Sequence, residues 1–153
     1  MKNKLKRTAL ISALLLAGVV CLDSKYNLKI TEHELHFESL PRAFEDFRIV
    51  QLSDLHGSFF GKENERLIRE VSKLKPDIIA LTGYMAGAKD ELESFEDLLK
   101  GIVEIAPVYY VSGNHEWGSG YMPEVIELLE KYGVEYMANR YLPLWRGGER
   151  III

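Results

Sequence analysis

Residues 47–57 read FRIVQLSDLHG, a short and nearly continuous apolar run that ends in a polar cluster. A run of this kind is typical of a parallel-sheet strand that is buried on both faces. The cluster Asp54-Leu55-His56 stands where such a strand would end. Two further apolar runs end in the same way, one at Gly83-Tyr84 and one at Gly113-Asn114-His115-Glu116.

These three clusters recur at the spacing of one strand–helix–strand unit. Tyr84 lies 30 positions after Asp54 and 30 positions before Asn114, and such a unit takes roughly 30 residues. In an open parallel sheet, ligands bind beyond the carboxyl ends of the strands. The spacing therefore predicts that the clusters meet, and their Asp, His and Asn side chains indicate a site for a divalent cation. A surface ion pair at Asp54 and His56, or an Asx turn at Asn114, is the alternative.

Alternating strands and helices connect the clusters. Apolar runs predict strands at Phe47–Leu52, Ile78–Leu81, Val108–Val111 and Val134–Met137, and helical periodicity predicts helices at 63–74, 92–102 and 123–132. This order is typical of an α/β domain with a parallel sheet and helices on its faces.

Apolar alternation also predicts strands before the first cluster and at the end of the chain. The segments 26–30 and 35–37 read as an antiparallel or edge strand pair. Arg150–Ile153 reads as a strand that is just starting, without a turn or polar tail after it. We therefore expect the domain to continue in related proteins, and residues 25–153 to be a truncated domain.

The first 24 residues have the layout of an export signal or membrane anchor. Four cations precede the uncharged run Ala9–Leu22, namely Lys2, Lys4, Lys6 and Arg7. Its length favours a signal over a spanning helix, but the weak cleavage site leaves an uncleaved anchor equally open. A positively charged flank stays on the cytoplasmic side of the membrane, so we expect the domain on the extracytoplasmic side, or secreted if the signal is cleaved.

Composition and local sequence exclude several classes of partner and of fold. A formal net charge of −4 gives no broad attraction to phosphate backbones, so no nucleic acid is expected. Cys21 is the single cysteine, which rules out an intrachain disulfide framework. A dinucleotide-binding domain is disfavoured because residues 53–58, SDLHGS, lack the glycine-rich turn.

The motifs Ser53-Asp54-Leu55-His56-Gly57, Leu81-Thr82-Gly83 and Gly113-Asn114-His115-Glu116 resemble those of the calcineurin-like metallophosphoesterases, especially membrane-anchored bacterial members. The resemblance starts near residue 45 and implies a layered α/β/β/α sandwich that binds two divalent metals (Mn, Fe, Zn or Mg). It assigns Asp54 and His56 to the first metal, Asn114 to the second, and the role of catalytic acid or charge stabiliser to His115. The implied substrate is a phosphoester of unknown type.

The chain departs from the family pattern at Tyr84, which stands where the family has an aspartate that bridges both metals. Two divalent cations about 4 Å apart repel by roughly 17 kcal/mol at an effective dielectric of 20, so shared anions must offset that repulsion. A neutral phenol does this poorly. The family's later Gly-His-x-His block is also absent.

The resemblance implies a metal-dependent phosphoester hydrolase, and these departures predict that its catalysis is impaired. The alternative is a non-catalytic envelope module for binding or assembly, or a non-functional gene fragment. Two roles stay open for Glu116, which orients His115 or caps a turn. The aromatic residues that follow the first and third clusters either line an apolar substrate or pack the loops: Phe59, Phe60, Trp117 and Tyr121.

Overall fold

A computed structural model of the chain describes residues 27–153. Of these residues, 27–34 belong to one unit of the chain and 35–153 to a second, compact unit. Residues 27–34 of the first unit have no regular secondary structure. The predicted signal or anchor lies outside the described residues, and none of the helices between residues 27 and 153 is long and apolar enough to cross a membrane.

The second unit alternates strands and helices, as predicted. Its strands are β1 (Ile49–Leu52), β2 (Ile78–Thr82), β3 (Val108–Val111), β4 (Glu135–Tyr136), β5 (Pro143–Arg146) and β6 (Glu149–Ile152). Its α-helices are α1 (Glu65–Leu74), α2 (Glu91–Ile102), α3 (Asn114–Ser119) and α4 (Met122–Lys131). Two 3₁₀ turns, Arg42–Phe44 and Lys62–Asn64, precede β1 and α1.

The first four strands form one parallel sheet in the order β1-β2-β3-β4. In this register Leu52, Leu81, Tyr110 and Tyr136 lie side by side. Crossovers between parallel strands are right-handed in nearly all proteins, so a strictly sequential order puts α1, α2 and α4 on the same face of the sheet. The described fold thus has one helical layer on the four-stranded sheet, and β5 and β6 form a second, two-stranded sheet.

The core lies between that helical layer and the sheet. The sheet contributes Ile79, Leu81 and Tyr110, each with no exposed surface. From the helices come fully buried residues such as Leu99 and Val125. Burying an aliphatic side chain of this size stabilises a fold by roughly 1.5–3 kcal/mol, so this packing fixes the positions of the strand ends that carry the clusters.

Two predictions about β1 and the segment before it were wrong. Residues 27–37 form no strand, and Ile30, Leu35 and Phe37 are exposed because no neighbouring strand pairs with them. β1 is not buried on both faces, since Ile49 is 53% exposed and Gln51 is also exposed. The reason is that β1 is an edge strand and its second face carries no helix.

The strand predicted at Arg150–Ile153 is confirmed as β6, but its partner was missed. β5 and β6 form an antiparallel hairpin whose turn residues, Gly147 and Gly148, both have positive φ angles. A Gly-Gly pair between two short apolar runs is a hairpin signal. An ion pair connects the hairpin to the rest of the unit, with Arg146 Nη1 3.3 Å from Asp77 Oδ1.

Candidate functional site

Three loops follow β1, β2 and β3 at the carboxyl edge of the sheet, as the 30-residue spacing predicts. We call them the first loop (residues 53–57), the second loop (83–87) and the third loop (112–116, which includes the first three residues of α3). The first two are joined by a backbone ladder, in which the amides of Asp54, His56 and Gly57 donate to the carbonyls of Gly83, Tyr84 and Met85 at 3.2, 2.9 and 3.0 Å. The pairing of β1 and β2 thus extends into the site.

The second and third loops touch at two glycines. Gly83 has a φ of +80°, and a Cβ atom built there would lie 2.6 Å from the backbone nitrogen of Gly113. Real side chains do not tolerate such a contact. Glycine at 83 therefore sets how closely these two loops approach.

Three site residues other than glycine adopt left-handed backbone conformations. Asp54, His56 and Tyr84 have φ angles of +58°, +47° and +58°. This region is uncommon for residues other than glycine, and such strained residues cluster at functional sites when surrounding contacts hold them. The loops are therefore held in conformations that their own side chains disfavour.

Three of the four predicted site residues, His56, Asn114 and His115, form one cluster with Tyr84. The ring of His56 lies 5.2 Å from that of His115 and 5.4 Å from that of Tyr84, measured between centroids. Tyr84 and His115 are nearly parallel, with an interplanar angle of 12° and centroids 6.0 Å apart. The Tyr84 hydroxyl donates a hydrogen bond to Asn114 Oδ1.

Asp54 joins this cluster through its backbone, and its carboxyl group makes a local contact. Asp54 Oδ2 accepts a hydrogen bond from the neighbouring Ser53 Oγ at 2.5 Å. Asp54, His56 and Asn114 are exposed, while Tyr84 and His115 are half-buried. The predicted ligands are therefore open to solvent at the edge of the sheet.

His115 is the predicted catalytic residue, and its ring packs closely on the second loop. A Cβ atom at Gly87 would lie 2.0 Å from both Cε1 and Nδ1 of His115, so only glycine leaves room for the ring. Nδ1 is buried and has no hydrogen-bond partner among residues 27–153. The imidazole is therefore held by packing on one side.

The sequence left the role of Glu116 open. In the structure its side chain accepts hydrogen bonds from the backbone of two loops. Its side chain is fully buried. Its carboxyl oxygens accept hydrogen bonds from Met85 N at 2.7 Å and from Gly113 N at 2.9 Å. Glu116 is the third residue of α3, and Gly113 is the residue that precedes the helix. A glutamate at the third position that accepts from the amide of the preceding residue forms half of a capping box. Glu116 thus caps α3 and also joins the second loop to the third.

Tyr110 lies beneath these loops at the end of β3. Burial raises the pKa of its hydroxyl far above the usual value, and the charge of the neighbouring Glu116 raises it further. The phenol therefore stays neutral at physiological pH. Sequence analysis missed this residue because a tyrosine inside an apolar strand carries no distinctive signal.

Three of the aromatic residues near the site differ in exposure. Phe60 is buried in the core. Phe59 and Trp117 are 41% and 61% exposed, and the Trp117 indole donates to Ser112 Oγ at 3.0 Å. Packing thus accounts for Phe60, and Trp117 has an exposed ring fixed beside the third loop.

The donor set does not fit a two-metal centre as it stands. Among residues 27–153, His, Cys, Asp and Glu side chains form no group of three or more that could hold a metal ion. In addition, the amide oxygen expected to bind the second metal already accepts the Tyr84 hydroxyl. The donor set does not fit because Tyr84 supplies a hydroxyl where two divalent cations would need a shared anion to offset their repulsion.

The fold and site define a class: an α/β protein with a polar cluster at the carboxyl edge of a parallel sheet. Within that class, the profile described as "Calcineurin-like phosphoesterase" matches residues 47–152. The chain therefore belongs to the calcineurin-like phosphoesterase family. This family has phosphoesterase-type functions and generally uses divalent metals.

Relatives agree with this assignment. A zebrafish protein named "Transmembrane protein with metallophosphoesterase domain" is 27% identical over 141 residues, covering 90% of this chain and 32% of the relative. "Uncharacterized metallophosphoesterase YkuE" of Bacillus subtilis is 29% identical over 111 residues, covering 69% and 38%. The chain thus spans about a third of the length of these relatives.

One solved structure also resembles this fold. Phosphopantetheinyl Hydrolase (PptH) from Mycobacterium tuberculosis is 20% identical, with a TM-score of 0.45 over 69% of this chain and 40% of the other.

Proposed function

We propose that this chain is part of a metal-dependent phosphoester hydrolase whose catalysis is impaired by Tyr84. The observation that supports the proposal is the cluster of His56 in the first loop with Asn114 and His115 in the third, in which the Tyr84 hydroxyl donates to the Asn114 oxygen. His115 is the candidate proton donor to a leaving oxygen. Asp54, His56 and Asn114 are the candidate metal ligands, which a carboxylate at position 84 would complete.

The test supplies the part of the relatives that this chain does not span. A chimera of residues 1–153 with the remaining length of the Bacillus subtilis relative is assayed with Mn²⁺ and para-nitrophenyl phosphate or its bis-ester. We expect Tyr84→Asp to tighten Mn²⁺ binding by at least roughly tenfold, the effect that even outer-shell partners have on metal affinity. We also expect it to produce turnover, which His115→Ala then lowers by about a hundredfold or more.

The matched control is Tyr132→Asp, which places the same carboxylate on the C-terminal end of α4, away from the three loops. It should change neither Mn²⁺ affinity nor turnover. A folded Tyr84→Asp chimera that binds no more Mn²⁺ than its parent would contradict the damaged-hydrolase proposal. That result would favour the alternative, a non-catalytic envelope module, which the Tyr84–Asn114 hydrogen bond also supports.

We also propose that residues 1–24 export or anchor the domain on the extracytoplasmic side of a membrane. The four cations before the uncharged run Ala9–Leu22 support this, and the zebrafish relative is named as a transmembrane protein. In bacterial spheroplasts expressing the full chain, external protease should digest residues 25–153. Changing Lys2, Lys4, Lys6 and Arg7 to glutamate should protect them. Protection of the unchanged chain would contradict this proposal.

A further inference from the structure

Tyr84 contacts both neighbouring loops of the site. Its ring lies beside His56 of the first loop and is nearly parallel to His115 of the third. A Cβ atom at Gly113 would lie 2.8 Å from Cδ2 of Tyr84, so the ring also packs directly on the backbone of the third loop. Its hydroxyl also donates a hydrogen bond to Asn114 Oδ1 in the third loop.

These contacts link the three loops, as a bound cation would link them through its ligands. A metal ion connects ligands that come from different parts of a chain, and its binding energy adds to the folding energy. In this chain a phenol ring and its hydroxyl make the connections between the same three loops. The contacts also hold Tyr84 in a left-handed conformation, with a φ of +58°, which an aromatic residue adopts only when its surroundings determine it.

We propose that Tyr84 takes the place of a bridging cation as the structural tie between the three loops, so that the site of this chain assembles without a metal. The role does not depend on whether the chain hydrolyses an ester. It concerns the stability of the loops and predicts that divalent cations leave this stability unchanged.

The experiment is a double-mutant cycle on the full chain. The melting temperature of each variant is measured in excess EDTA and in a millimolar excess of Mn²⁺. Tyr84→Phe keeps the ring and removes the hydroxyl, and Asn114→Ala removes the acceptor. Each change should lower the melting temperature by about 2–4 °C, the shift expected for one net hydrogen bond in a domain of this size. The double change should cost no more than either single change. The unchanged chain should melt at the same temperature in EDTA and in Mn²⁺.

The matched control is Tyr132→Phe, which removes a hydroxyl that donates to Glu96 Oε1 at 2.8 Å, away from the site. Its effect should add to that of Asn114→Ala. Additive effects of Tyr84→Phe and Asn114→Ala would overturn the proposal. So would an increase of about 5 °C or more for the unchanged chain in Mn²⁺, the size expected when the cation is present at about a hundred times its Kd.

Discussion

Replacing Glu116 with alanine is expected to lower the free energy of unfolding by about 4 kcal/mol, or roughly a thousandfold in the folding equilibrium. Its two oxygens accept the amides of Met85 and Gly113, and the side chain is fully buried. Alanine leaves both amides without this acceptor, and the Met85 amide is buried while the Gly113 amide is part-buried. Each unsatisfied buried donor costs about 1–3 kcal/mol.

Urea unfolding followed by circular dichroism measures this change. Glu116→Gln keeps one acceptor oxygen but turns an amide group toward the second donor, so we expect an intermediate loss of about 2 kcal/mol. The control is Glu127→Ala, which removes an exposed glutamate from α4 and should change stability by less than about 0.5 kcal/mol. If Glu116→Ala were as stable as that control, Glu116 would not be the link between the second and third loops.

Replacing Gly83 with alanine is expected to cost about 3 kcal/mol or more. Gly83 has a φ of +80°, and the added Cβ would lie 2.6 Å from the nitrogen and 2.8 Å from the Cα of Gly113. A left-handed conformation alone costs an L-residue roughly 1–2 kcal/mol. The clash adds to this cost because both contacted atoms belong to backbone, which cannot rotate away. The two loops must separate.

The control for this change has the opposite sign. Gly118 lies in α3, and nothing within 4 Å would meet a Cβ atom there. Gly118→Ala should therefore stabilise the chain by about 0.5–1 kcal/mol through helix propensity. Both free energies come from the same urea titration. A Gly83→Ala chain as stable as Gly118→Ala would contradict the close approach of the second and third loops.

Much of the fold could be predicted because its elements have strong periodic patterns. The strand predicted at Val108–Val111 has the observed bounds, and the helices predicted at 63–74 and 92–102 differ from α1 and α2 by two residues or fewer. The predicted pair at 26–30 and 35–37 failed because apolar alternation says nothing about whether a partner strand exists. The prediction that β1 is covered on both faces was wrong for a similar reason. An apolar run does not show whether a helix covers each face of a strand, because that depends on the topology of the sheet.

The sequence alone determined the family, the α/β class and the convergence of the three loops. These follow from local motifs and from a 30-residue repeat that parallel strands convert into proximity. Only the tertiary structure decided how the side chains pair there. It assigned Tyr84 to Asn114 and Glu116 to the amides of two loops. The physical reason is that the hydrogen bonds between loops join residues about 30 positions apart, and their distances and directions are set by the packing of the loops and not by residue order.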